Sequence, residues 1–139
     1  MRMKNATEYL STIFHYCLLG LFLYTSVTLF FIFVLNWEAR FFGMKLDGLP
    51  AGLLLLIRFL IPAVLALLLI RYPDRILPVA VFALVFYGFF FIDSSVTIQR
   101  NTGGTELFGI KPLVSVLIPA VVVIGHLLVV RRLRDCTDE

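Results

Sequence analysis

Four apolar blocks dominate this chain: Ile13–Leu35, Leu53–Ile70, Ile76–Ile92 and Leu113–Val130. A helix needs roughly 20 mainly apolar residues to cross the ~30 Å hydrocarbon layer of a bilayer. Inside that layer each backbone N–H and C=O must be paired within the protein, so only helices and closed barrels span it. The blocks predict an all-α integral membrane protein: one domain over residues 1–139, four transmembrane helices in an up-down-up-down bundle, and outer loops at residues 36–52 and 93–112. The last three blocks are short and would cross with little tilt. Composition agrees, since only 15% of the 139 residues are charged, against about 25% in a typical soluble domain.

The first block follows a basic start, "MRMK", as a signal peptide would. Its apolar run is too long for one, and no A-x-A-like cleavage site follows, so it reads as a retained span.

Basic residues flank the spans and set the expected orientation. Arg2, Lys4, Arg71, Arg75, Arg131, Arg132 and Arg134 fall on one side; Arg40, Lys45, Arg100 and Lys111 fall on the other. The richer side is expected to be cytoplasmic. Both termini and the tight "RYPDR" loop would then lie inside, in what reads as the plasma membrane. The net charge of +3 is accounted for by these flanks and implies no nucleic-acid partner. Cys17 and Cys136 provide no disulfide framework.

In the first outer loop, Trp37, Phe41 and Met44 recur at helical spacing among charged residues. That pattern predicts a short amphipathic helix on the interface, with Trp37 in the aromatic belt. In the second, Val96 and Ile98 alternate with polar residues before the Asn101–Gly104 turn, which predicts a small β-hairpin. Asp74, in the tight loop, is expected to cap the third helix.

The pentapeptide "LIPAV" occurs twice, at Leu60–Val64 and Leu117–Val121. At that offset of 57 residues Asn36 aligns with Asp93, which suggests a tandem repeat of two-helix hairpins. Pro62 and Pro119 each remove a helical hydrogen bond, freeing the carbonyls of Arg58 and Ser115. Kinks are expected there, with Ser115 and Arg58 as available donors.

Arg58 is the one charge inside a span. Ionisable groups at that depth cost free energy and are functional candidates. Asp93 ends the neighbouring span on the same side and is its expected partner, with Glu38 a rival. Arg58, Asp93 and Ser115 form the candidate binding site. His15, Cys17 and His126 form an inner-leaflet polar cluster without metal-ligand spacing, and Ser26 and the threonines of span one are expected to bond backbone or a neighbouring helix. No catalytic motif, cofactor site or metal site is present in the sequence.

The leading functional expectation is a non-enzymatic structural or accessory subunit, whose partners are the bilayer and either copies of itself or other membrane subunits. The alternative is a small oligomeric transporter or channel with Arg58 attracting an anionic solute or lipid headgroup. The third is a lipid-modifying enzyme with an open groove reaching Asp93, Ser94 and His126.

Overall fold

A computed structural model describes residues 2–35 and 38–135, with backbone alone for 2–6 and 130–135. The chain is mostly helical. The four helices are α1 (Arg2–Leu35), α2 (Leu49–Arg71), α3 (Ile76–Thr102) and α4 (Ile110–Asp135). Within or overlapping them, Thr7–Leu35, Leu49–Arg71, Pro73–Thr102 and Ile110–Val129 are long and apolar enough to cross a membrane. Each exceeds the block that predicted it. Pro73–Thr102 is the extreme case, at 30 residues or about 45 Å.

α1 packs most extensively on α2, and α3 on α4; α1 also meets α4, and α2 meets α3. The core is Leu18, Leu21 and Phe22 of α1, Leu65, Ala66 and Leu69 of α2, Ile76, Val79, Ala80, Ala83 and Tyr87 of α3, and Val122 of α4. Small residues let the helices approach. A Cβ on Gly125 would lie 2.5 Å from Phe14 Cζ, so α4 rests on α1 there because no side chain intervenes. Pro62 and Pro119, the prolines of the two "LIPAV" stretches, are fully buried within continuous helices. Beside the first, the Ser26 hydroxyl of α1 donates to the Phe59 carbonyl at 3.3 Å, one residue beyond the Arg58 carbonyl that Pro62 frees. Ser115 instead donates to Lys111 O at 3.0 Å, so its hydroxyl bonds the preceding turn. Thr25 and Thr28 bond the carbonyls four residues back. The Pro73–Arg75 turn between α2 and α3 is a single 3-10 turn, and Asp74 makes no side-chain cap to α3.

Both outer loops differ from expectation. The first is no amphipathic helix: it holds an antiparallel β-hairpin, β1 (Glu38–Phe41) and β2 (Met44–Asp47), and Trp37 lies outside the described residues. Phe41 pairs with Met44, leaving a two-residue turn with φ of 47° at Phe42 and 80° at Gly43. Two successive positive φ values give the turn a handedness that suits twisted strands, and Gly supplies one without strain. The inward pair Ala39 and Leu46 packs on Ala51 and Leu55 of α2. Like charges face each other in the register, Glu38 with Asp47 and Arg40 with Lys45. Lys45 relieves the acidic pair by sitting 3.6 Å from Glu38 and 3.5 Å from Asp47.

The second loop is no hairpin, because α3 continues through Val96 and Ile98 to Thr102. Ser95 and Thr102 return their hydroxyls to carbonyls four residues back. Gly103 then ends the helix in the left-handed conformation, and Gly104 N–H bonds the Gln99 carbonyl, a closure that glycine favours.

The close contact at Gly125 generates a prediction. Gly125→Val forces the added methyls into the Phe14 ring and should cost about 1–3 kcal/mol, the usual range for overpacking. The same substitution in a Phe14→Ala background should cost far less. Unfolding in mixed detergent micelles measures both.

Candidate functional site

Arg58 lies nine residues into α2, about 13 Å from its start at Leu49. Two carboxylates were available to it, and the one it meets is Asp93 of α3: Arg58 Nη2 stands 2.5 Å from Asp93 Oδ2. The side chains are only 18% and 5% exposed. Glu38, the rival, pairs with Lys45. Burial of a lone charge is costly and burial of a hydrogen-bonded pair much less so, which explains why these two groups share a level of the bundle.

Both oxygens of Asp93 are used. Oδ1 accepts the backbone N–H of Phe42 at the hairpin turn. The next N–H, of Gly43, is donated to Thr97 Oγ1 at 2.9 Å, one helical turn further along α3. A Cβ on Gly43 would collide with the Arg100 side chain, so the turn sits directly on α3. Arg58 Nη2 also reaches the Arg40 carbonyl at 3.4 Å, while Arg40 Nη1 donates to Asn101 Oδ1. Around this polar knot are aromatic rings. Arg58 Cζ lies 4.5 Å from the Phe90 ring centroid, a cation–π geometry, and Phe42 and Phe89 pack edge to face at 5.9 Å. The Arg58–Asp93 pair therefore links α2, α3 and the hairpin.

Beside the pair is a cleft of about 270 Å³ bounded by α1, α3, α4 and Arg58. Its polar lining is Tyr24, Thr25 and Thr28, Asp93 and Ser94, and Lys111 and Ser115; Phe86, Phe90 and Phe91 are among its apolar walls. Thus the structure brings all three candidate binding residues, Arg58, Asp93 and Ser115, to one cavity. The expected groove residues Asp93 and Ser94 line it, and His126 does not. Tyr24, Thr28 and Lys111 were missed as site residues: each resembles an ordinary packing or flanking residue in sequence, and only the assembled helices bring them together. On the floor between α1 and α3, Thr25 Oγ1 and Tyr87 Oη are 2.7 Å apart, and Tyr87 stacks on Phe22 at 6.4 Å.

His15, Cys17 and His126 do not converge on one site. His15 is half-buried, edge-on to Tyr16 at 5.8 Å, while Cys17 is exposed on another face of the same helix. Among the described residues no three His, Cys, Asp or Glu side chains come together as a metal site. Cys136 lies outside the described residues.

No family model matches the chain, and neither the curated proteins nor the solved structures include a match. The four apolar helices mark a membrane protein, and any narrower role has to come from the geometry.

The pair's worth is measurable. Arg58→Met leaves the Asp93 charge buried and unpaired, and Asp93→Leu does the same to Arg58; each should cost about 3–5 kcal/mol. The double substitution should cost much less than the sum, in micelle unfolding, because no orphan charge remains. The Asp93→Leu share attributable to Phe42 N–H should persist in the double variant as faster protease cleavage of the hairpin.

Proposed function

We propose that this protein is a non-enzymatic accessory subunit of a membrane assembly, whose bundle holds the β-hairpin in a set position for a partner. The observation that carries the reading is the use already made of Arg58: its Nη2 donates to Asp93 and to the Arg40 carbonyl and its Cζ lies over the Phe90 face, while its Nε is buried with no hydrogen-bond partner among the described residues. An arginine held in this way serves as a clamp. It could receive an anionic solute only by giving up Asp93, and the hairpin turn would lose its support with it. The transporter reading, in which Arg58 is an open anion receptor, draws support from the adjacent cleft alone.

In this reading the spans cross alternately, with both termini on the cytoplasmic side of the plasma membrane and the hairpin outside. The seven-to-four division of basic flanking residues supports that orientation. The exposed charges of the hairpin, Glu38, Arg40, Lys45 and Asp47, then form a polar surface above the bilayer.

Two experiments test the proposal. With Cys17 and Cys136 replaced by serine, Lys45→Cys should react with an impermeant maleimide on intact cells, and Ser11→Cys only after permeabilisation; the reverse pattern overturns the orientation. Extraction of the full chain into lipid nanodiscs directly from its membrane should yield a discrete complex larger than the 15.8 kDa chain, and reconstituted protein should carry no anion flux above that of empty vesicles. Anion flux above that of empty vesicles, lost in Arg58→Met, would establish the oligomeric transporter in its place.

A further inference from the structure

The cleft beside the Arg58–Asp93 pair contains polar groups that the clamp does not use. Lys111, the second residue of α4, is exposed and forms no ion pair among the described residues. Because Arg58 and Asp93 neutralise each other, Lys111 sets the sign of the cleft as positive. Tyr24 is 60% exposed at the middle of the first apolar block, and its hydroxyl has no partner among the described residues. Thr28 and Ser115 donate their protons to backbone carbonyls, which leaves their oxygen lone pairs free as acceptors. Thr25 differs, since its oxygen also meets Tyr87.

In water such groups would be solvated. Here the hydroxyls belong to helices long and apolar enough to lie in a bilayer, where an unpaired hydroxyl is costly, and Lys111 flanks the apolar block of the fourth helix. One turn on from the lining residues, Val27, Phe31 and Val114 are exposed apolar side chains, a surface suited to hydrocarbon. The ligand for such a place combines an anion, hydroxyl donors and apolar chains. A volume of about 270 Å³ falls just below the roughly 300–1,000 Å³ of whole small-molecule sites, which suits a headgroup with its glycerol region while the chains remain in the bilayer.

We propose that this cleft is a binding site for an anionic phospholipid of the glycerol-headgroup class. Lys111 Nζ pairs with the phosphate, Thr28 and Ser115 accept from the headgroup hydroxyls, and Tyr24, deeper in its span, donates to an ester oxygen. The site is independent of the accessory-subunit reading, because it uses none of the hairpin surface.

The test uses delipidated full-length protein in a neutral detergent, with native mass spectrometry counting bound lipid. Phosphatidylglycerol and phosphatidylcholine of identical chains are titrated separately. One phosphatidylglycerol should bind about fivefold or more tighter than phosphatidylcholine, the scale of one basic residue at a charged membrane surface. Lys111→Gln should bring the two lipids level, Lys111→Arg should keep the preference, and Lys45→Gln on the exposed hairpin should leave it unchanged. Tyr24→Phe should weaken both lipids together. Equal binding of the two lipids by the wild-type protein, or a preference that survives Lys111→Gln, overturns the proposal. Displacement of phosphatidylglycerol by millimolar inorganic phosphate also overturns it, in favour of a soluble-anion site. Helix content by circular dichroism identifies any variant that has failed to fold; Lys111→Ala then takes the place of Lys111→Gln, with the same expected loss of preference, and a preference that survives it overturns the proposal.

Discussion

The position of one buried ion pair governs how the two halves of this bundle relate. α2 spends most of its packing surface on α1, and α3 most of its surface on α4. Between α2 and α3 the contact is slighter, and the Arg58–Asp93 bond is its strongest polar element. Both side chains are buried and neither charge is separated from the other without a large cost, so the pair fixes the relative height of the two helices as well as their proximity. The Asp93 oxygen turned away from Arg58 binds the Phe42 N–H, and the register of the bundle thereby becomes the register of the hairpin. Moving one helix past the other by a turn would break three elements apart.

The spans could be read from the sequence because apolar run length is a nearly sufficient signal in a bilayer. The Arg58–Asp93 partnership was legible for a related reason: two lone polar residues near corresponding ends of adjacent apolar blocks have few other partners. The loops had no such constraint. Trp37, Phe41 and Met44 fit a helical stripe, yet Ala39 and Phe41 fit a strand equally well. The choice falls to groups outside the segment, since Asp93 and Thr97 accept the two N–H groups of the turn, and Gly43 alone can sit against Arg100 without a side chain. Along 93–102 the β-branched residues suggest a strand. The helix persists because its hydroxyls bond their own preceding turns and Gly103 supplies a left-handed end.

The cleft had no signature in the sequence because its parts lie far apart. Tyr24 and Lys111 are 87 positions distant, and neither belongs to a periodic pattern that the other shares. In sequence Tyr24 is one of a polar group in the first span and Lys111 is a flanking charge that reports orientation. Their common environment arises only when α4 packs on α3 and α1 in turn meets α4. The prolines illustrate the same limit. The sequence indicates which carbonyls Pro62 and Pro119 release, but Ser26 serves Phe59 and Ser115 serves its own helix, which depends on where the neighbouring helix places its hydroxyls.

These assignments divide the polar groups of the membrane region by role. Arg58 and Asp93 are matched in charge, buried and bonded to each other, so a solute must compete with a bond that supports the fold, even though Arg58 Nε is left without a hydrogen-bond partner among the described residues. Lys111 and Tyr24 are exposed and uncommitted, so a ligand that meets them costs the fold nothing. Binding energy is available where the protein's own donors and acceptors are unfilled, and the structure separates the two sets by less than the width of the bundle. The arginine that first draws attention in the sequence holds the architecture together. The lysine, which there marks only the end of a helix, faces the cleft a ligand would enter.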